Sequence, residues 1–447
     1  MITARAFAGK HYAVYGLARS GLATVEALLA SGAKVTVWDD KLFPGEGRDP
    51  GRCEAAVPPA LGPGLRRGTE ILDLNTTDLA RFDSLVVTPG LPLNRHPIAQ
   101  RARDAGVEII GDIELFARAR PELPPHKVVG ITGTNGKSTT TALIHHILKT
   151  AGVPTTMGGN IGLPILGQDP LPEGGVYVLE LSSYQIDLTR SLDCDVAVLL
   201  NITPDHLDRY DSFEAYAASK ARLFEMQSTE NEAVIIVDDN ETRDIAIRTW
   251  MREHKERHWH VLHGFVGSEQ MHWPALQGPH NAQNAAAAIE TCEILGVGGE
   301  EIEQGLRTYP GLPHRMERIG EKDGVTFVND SKATNPTATA PALAAFEKIR
   351  WICGGQAKTD NLDECAPFFG HVRKAYTIGE AGELFASLLS PHMAVAQCKT
   401  LERAVGEAAR DAEGGDTVLL SPACASFDQF RDFEDRGDQF RALVEGL

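Results

Sequence analysis

The stretch GTNGKSTTT, residues 133–141, puts two glycines, a lysine and a run of hydroxyls into a single turn. Those residue types suit an anion. Glycines let backbone N–H groups converge on phosphate oxygens, Lys137 neutralises charge, and a following helix adds its positive end. Ser138 would offer a hydroxyl to Mg²⁺. A full Walker A pattern needs glycine where Ile131 stands, so the fit is to the shorter form G-T-N-G-K-S. Apolar KVVGI precedes the loop and TTTALIHHILKTAG follows it, which is the strand, turn and helix context the motif requires. We read a nucleotide-phosphate site at Gly133, Thr134, Asn135, Gly136, Lys137, Ser138 and Thr139. Metal-bound triphosphate needs further oxygen ligands, and Glu180 stands at the end of the apolar run VYVLE, where a carboxylate projects from a sheet edge beside the loop. In LLNITPDHLDRY a strand ends at Asn201 and delivers Asp205, His206, Asp208 and Arg209 into a loop. Four polar groups at one strand's carboxyl end mark a site.

These groups need elements to hold them. HYAVYGLARSGLATVEALLASGAKVTVWDD runs strand, glycine turn, amphipathic helix, glycine stop, strand, then Asp39 and Asp40. As a dinucleotide fingerprint it is imperfect, because Ala18 stands where a glycine belongs between Gly16 and Gly21. A nucleotide-binding turn and a tight strand-to-helix turn with no ligand both fit. SLVVTPG (84–90) is a further strand ending at a proline-glycine turn, and ARPELPPH (119–126) reads as a linker. KVVGITG, VYVLELSS, VAVLLNITP and EAVIIVDD are apolar enough for a parallel sheet buried on both faces. Residues 251–273 hold His254, His258, His260, His263 and His272 without Cys or carboxylate at ligand spacing, which favours a surface loop or edge strand over a metal site. After TYPGLPHR a third alternating segment carries VTFVNDS, IRWICGG, KAYTIGE, MAVAQC and DTVLLSP. The expected class is α/β with three domains. These are a Rossmann-like domain over 1–120, a central P-loop-type ATPase domain with a mostly parallel sheet over 121–311, and a Rossmann-like domain over 312–447.

The bulk numbers bound the function. A chain of 447 residues has room for about three domains, each with its own core. Acidic residues outnumber basic ones 61 to 43, giving a formal charge of -18, which repels nucleic acid and anionic lipid while leaving small anionic substrates open to a local basic cleft. The seven cysteines are scattered and never form a C-x-x-C pair, as expected for reduced thiols in a cytoplasm. MITARAFAGKHYAVYG shows no charged n-region followed by an apolar h-region, and no apolar run reaches the ~18 residues of a span. We expect an unprocessed cytoplasmic protein.

GTNGKS (133–138), GGNIG (158–162), LELSSYQ (179–185), NITPDHLDRY (201–210), GPHNAQNAAAA (278–288), LPHRME (312–317), NDSKATNP (329–336), GGQAK (354–358) and SPACASFDQF (421–430) together resemble the Mur ligase family, ATP-dependent amide-forming enzymes of peptidoglycan precursor synthesis. The resemblance covers essentially the whole chain. Within the family, DSKATN and the ending SPACASFDQFRDFEDRGDQF look like the member that adds D-glutamate to UDP-N-acetylmuramoyl-L-alanine. It implies a small-molecule enzyme, monomeric, using ATP and two Mg²⁺ ions, with the UDP-sugar on the first segment, ATP on the second and the amino acid on the third. Carried over by resemblance, Arg19, Ser20, Asp40, Lys41, Gly90 and Asn160 contact the UDP-sugar, and positions 40 and 41 depart from the Thr-Arg of some relatives. Asn281, Asn284, Arg315, Asp330 and Lys332 join the glycine loop around ATP. Thr334, Lys358, Ser426, Phe427 and Phe433 hold D-glutamate. Ser138, Glu180, His206 and Lys220 surround the metals, with Lys220 carbamylated, and Lys137, Glu180, His206, Lys220 and Arg315 carry the catalysis.

An amide made in water needs the carboxylate activated first, and an acyl phosphate formed from ATP does that. Another Mur ligase and a folylpolyglutamate synthetase-like ligase are the rival enzymes. The βαβ segment ahead of the phosphate loop argues against the synthetase, and no D-N-P-R signature of the diaminopimelate adder occurs. A nucleotide-binding switch ATPase is the non-ligase alternative.

Overall fold

Strands that are apolar without alternation bury both faces, and the computed structural model of the chain assembles them into three sheets. It describes residues 1–40, 42, 68–205, 209–252 and 258–447, with the backbone alone for 248–252. Lys41, His206 and Asp208, named above, lie outside the described residues, as do Cys53 and His254.

The chain divides into two compact units, one comprising Met1–Gly267 with Pro279–Leu306 and the other Ser268–Gly278 with Arg307–Leu447. The first unit holds two sheets. In one, β1 (His11–Tyr15), β2 (Lys34–Trp38), β3 (Thr69–Ile71), β4 (Ser84–Val87) and β5 (Glu108–Ile110) lie in the order β3-β2-β1-β4-β5, every pair parallel. The order reverses between β1 and β4, so the crevice outside their carboxyl ends is where this architecture receives a ligand. The other sheet joins β6 (His126–Thr132), β7 (Thr155–Gly159), β8 (Gly175–Glu180), β9 (Val196–Leu199), β10 (Glu232–Ile236) and β11 (Trp259–Leu262) in the order β11-β10-β9-β6-β8-β7. All its pairs are parallel too. β8 and β9 are buried along their whole length, as their unbroken apolar runs require. The histidine-bearing strand β11 is an edge.

The second unit carries β12 (Glu317–Lys322), β13 (Val325–Asn329), β14 (Ile349–Gly354), β15 (Val372–Ile378), β16 (Ala394–Lys399) and β17 (Thr417–Leu420) in the order β12-β13-β17-β14-β15-β16. Only β12 runs antiparallel, as a hairpin partner of β13 at the sheet edge. Two apolar layers cover this sheet. One packs Trp351 and Phe385 with Leu343 and Leu389, the other Tyr376 and Phe440 with Leu401 and Val405. Among the described residues no helix is long and apolar enough to cross a membrane.

Candidate active site

β6 ends at Thr132, and after four intervening residues the helix Lys137–Thr150 begins. Gly136 caps that helix in the left-handed region at φ 85°, where a Cβ would also lie 2.2 Å from Asn284 Oδ1, so glycine is required on two counts. The turn is pinned from the neighbouring strand end. Thr134 N donates to Asn201 O (2.8 Å), Asn135 N donates to Asn201 Oδ1 (2.8 Å), and Thr203 N donates to Thr134 Oγ1 (3.0 Å). Lys137 Nζ donates to Gly133 O (2.9 Å) and Thr134 O (2.7 Å). On the helix Pro279–Ile294, buried Asn281 and Asn284 bond to each other, and Asn284 Oδ1 accepts from Thr140 Oγ1 (3.2 Å). Ser138 is buried and Thr139 half-buried on the first turn.

Lys220 lies on the helix Phe213–Glu225, 1% exposed. Its Nζ donates to Gly133 O at 2.8 Å and sits 4.6 Å above the Tyr216 ring. Burial, and then the charge of Lys137, drive its amine well below the ordinary lysine value. Glu180 ends β8 at 2% exposure. One carboxylate oxygen, Oε1, accepts from Asn160 Nδ2 (2.9 Å), and Asn160 N donates to Glu180 O (2.9 Å). Its other oxygen, Oε2, is buried and has no hydrogen-bond partner among the described residues.

At the crevice between β1 and β4, Gly16 and Gly21 make the first turn possible. Gly16 has φ 96°, and a Cβ on Gly21 would stand 2.0 Å from Gly16 O. Arg19 opens the helix Arg19–Ala30 and donates to Gly162 O (3.1 Å); Ser20 lines a small cavity with Thr24, Thr88 and Asp112; Gly90 is exposed just beyond β4. Asp40 is fully engaged. Tyr15 Oη (2.7 Å), Trp38 Nε1 (2.8 Å) and Asn75 Nδ2 (3.1 Å) donate to it, and His96 Nε2 stands 3.5 Å away. Because His96 Nδ1 accepts from Ile98 N, the ring proton belongs on Nε2, facing Asp40 and Tyr15. Burial raises this carboxyl, but the hydrogen bonds outweigh it and hold Asp40 below the usual carboxylate value.

The second unit gathers the remaining residues. Arg315 lies between His314 and Met316, both at positive φ (62° and 47°). Asp330 accepts from Met316 N (3.1 Å) and Ser421 Oγ (2.7 Å), and burial pushes its carboxyl up to about 7. Lys332 Nζ lies 5.0 Å above the ring of Phe433, the first residue of the helix Phe433–Glu445. Lys358 Nζ donates to Thr334 Oγ1 (3.1 Å) on an exposed rim, with no carboxylate in that bond. Ser426 is buried, whereas Phe427 is 69% exposed.

Sequence reasoning passes over several groups that shape these clusters. Arg436, 0% exposed, donates to Ser331 Oγ and to the carbonyls of Ser331, Cys424 and Ala425, tying the DSKATN turn to the SPACAS turn. Burial lowers its guanidinium to about 10. An arginine in the polar run EDRGDQF carries no sign of this. Tyr216, whose Oη lies 3.1 Å from Thr134 Oγ1, and the Tyr15, Asn75 and His96 set around Asp40 are equally silent in the sequence.

The donor set around the glycine turn fits a nucleotide with Mg²⁺. Two lysine side chains and the first turn of a helix face one loop, and a buried carboxylate oxygen on Glu180 with no hydrogen-bond partner among the described residues is a ready hard ligand. Among the described residues no three His, Cys, Asp or Glu side chains are grouped to hold a metal.

Three family matches run along the chain: "Mur ligase MurD-like, N-terminal domain" at residues 10–111, "Mur ligase middle domain" at 131–292 and "Mur ligase, glutamate ligase domain" at 314–424. The chain belongs to the Mur ligase family. It is 60% identical over its whole length, and 97% of the relative's, to a protein of Novosphingobium aromaticivorans named UDP-N-acetylmuramoylalanine--D-glutamate ligase. Relatives with the same name in Zymomonas mobilis and Caulobacter vibrioides are 55% and 43% identical, covering all of this chain and 100% and 98% of their own. Among solved structures, the Thermotoga maritima UDP-N-acetylmuramate-alanine ligase has a TM-score of 0.58 at 16% identity, covering 98% of this chain and 99% of its own. A MurF ligase from the same organism, in complex with ADP, has a TM-score of 0.57 at 17% identity, covering 98% and 96%. At that identity the likeness speaks for the fold.

Proposed function

We propose that this protein is a cytoplasmic, monomeric ATP-dependent ligase that joins D-glutamate to UDP-N-acetylmuramoyl-L-alanine during peptidoglycan precursor synthesis. The convergence of Lys137 and Lys220 on the carbonyl of Gly133 carries this reading, in a chain 60% identical to a relative named for that reaction. The first segment, 1–120, takes the UDP-sugar through Arg19, Ser20, Asp40, Lys41 and Gly90. ATP lies on the 133–139 turn with Asn281 and Asn284, and the third segment, 312–447, takes the amino acid.

The UDP-sugar's terminal carboxylate attacks the γ-phosphorus of ATP, forming a C–O–P bond and releasing ADP. The amine of D-glutamate, as the free base, then attacks the acyl carbon; the tetrahedral intermediate collapses, the C–O bond to phosphate breaks, and the amine proton leaves to solvent. Lys137 exchanges its loop carbonyls for phosphate oxygens, and Arg315 offsets charge on the transferring group. Two Mg²⁺ ions, held by Ser138, Glu180 and His206 with Lys220 beside them, would neutralise the phosphate oxygens. Asn160, on the carboxylate of Glu180, orients the reacting carboxylate. Lys220 would serve the metal as its carbamate: a neutral amine adds CO₂ and loses one proton, and the depressed proton affinity of this buried amine favours the neutral, reactive amine. Lys358 and Thr334 receive the carboxylates of D-glutamate, between Ser426, Phe427 and Phe433.

The test is phosphate release with Mg²⁺, ATP and UDP-N-acetylmuramoyl-L-alanine, comparing D-glutamate with L-glutamate, D-alanine, L-alanine and diaminopimelate. D-glutamate alone should stimulate. Stimulation by another amino acid moves the protein to a sister activity, and release that needs no UDP-sugar makes it an ATPase switch.

A further inference from the structure

Arg209 follows directly on the polar loop after β9, yet its side chain turns to the first sheet's crevice. Its Nη2 donates to Leu91 O at 2.8 Å, with Pro89 O at 3.5 Å, and its Nη1 stands 3.4 Å from Gly90 O. Three successive carbonyls of the turn beyond β4 therefore face one guanidinium. The guanidinium carbon lies 4.2 Å from the centre of the Tyr184 ring. Tyr184 belongs to the helix Ser183–Asp187, four residues beyond Glu180, and stacks on Tyr210 at 6.2 Å and 16°. Tyr210 in turn donates to Asp187 Oδ2 at 2.8 Å. One planar cation thus rests its face on the element beside Glu180 and presents its edge to the turn that carries Gly90.

Resting on the ligase reading above, we propose that Arg209 is a positioning residue for the sugar-nucleotide substrate. It fixes the 89–91 turn against the Glu180 side of the site, so that a diphosphate seated on the crevice turns brings its distal carboxylate to a set distance from the glycine loop. All its described acceptors are neutral main-chain oxygens, so its charge remains to favour the anionic substrate. The role calls for arginine. An ammonium offers no flat face for the tyrosine and no fixed fork for the carbonyls.

The experiment compares full-length wild type with Arg209→Ala, Arg209→Lys and Tyr184→Ala. It measures KM for each substrate, kcat, the melting temperature, and UDP affinity by calorimetry. For Arg209→Ala we expect KM for UDP-N-acetylmuramoyl-L-alanine and Kd for UDP to rise about tenfold or more, while KM for D-glutamate stays within about twofold. Arg209→Lys should recover little of that loss, and Tyr184→Ala should reproduce part of it. Unchanged UDP affinity and sugar-nucleotide KM, with only a lower melting temperature or kcat, overturn the proposal, as does full recovery by lysine. A wild type inactive with these substrates refutes the ligase reading instead, and the UDP titrations still decide the role of Arg209.

Discussion

The amine of Lys220 donates a 2.8 Å hydrogen bond to the carbonyl of Gly133, the same oxygen that accepts from Lys137 at 2.9 Å. Burial lowers the proton affinity of Lys220, and the charge of Lys137 on the same carbonyl lowers it further. The neutral amine is the form whose lone pair attacks CO₂, giving the carbamate and releasing one proton. Lys220→Ala should lower kcat about a hundredfold or more. Acetate or another short acid should restore part of it, and stripping CO₂ from the wild type should lower its rate until bicarbonate is added. Wild-type turnover in Lys220→Ala would remove Lys220 from the mechanism.

The phosphate turn offers a steric test. Gly136→Ala forces a side chain into a left-handed backbone and toward Asn284 Oδ1, at a strain of about 1–3 kcal/mol before any clash is counted. Isothermal titration with ATP should show affinity falling at least about tenfold, with circular dichroism near that of wild type. Unchanged ATP affinity would mean the turn does not receive phosphate.

On the amino-acid side, Lys358 and Thr334 already share a hydrogen bond, so the pair forms one rim rather than two separate contacts. A hydrogen bond to a charged group is worth about 1.5–3 kcal/mol, so Lys358→Ala should raise KM for D-glutamate roughly tenfold to a hundredfold. KM for ATP should move little. An equal rise in both would point to a general disturbance of the second unit.

Asp112 supplies a pH dependence of stability. It is 5% exposed and has no ion-pair partner among the described residues, and burial pushes its carboxyl up from 3.8 to about 6. A raised folded-state value means the fold favours the protonated form. The stabilisation is fully present below the unfolded value and is lost as pH rises through about 6. The shift of roughly two units corresponds to at most about 3 kcal/mol. Asp112→Asn should flatten the plot of melting temperature against pH across that interval; an unaltered slope would show that another group sets it.

Where function follows from consecutive residues, the sequence is readable. The glycine turn, Lys137 and Glu180 are identifiable because strand, loop and helix follow one another and apolar runs such as VYVLE become strands buried on both faces. Two of the edge strands escape this reasoning. β7 is TTMGG and β12 is ERIGEK, and neither has the apolar run that marks a buried strand. Groups brought together from afar escape it too. Tyr15 meets Asp40, Asn75 and His96 across 25, 60 and 81 residues, and Arg436 crosses 105 to reach Ser331. A lone arginine among acids reads as a solvated surface residue; only the fold shows that it is buried among carbonyls.

The most direct measurement follows the carboxylate oxygen. UDP-N-acetylmuramoyl-L-alanine labelled with oxygen-18 in its terminal carboxylate is incubated with the enzyme, ATP, Mg²⁺ and D-glutamate, and the released phosphate is analysed by mass spectrometry. If Lys137, Lys220 and Glu180 surround a phosphoryl transfer to that carboxylate, each phosphate carries one labelled oxygen from the substrate. Phosphate free of label, formed alongside product, would contradict the acyl phosphate.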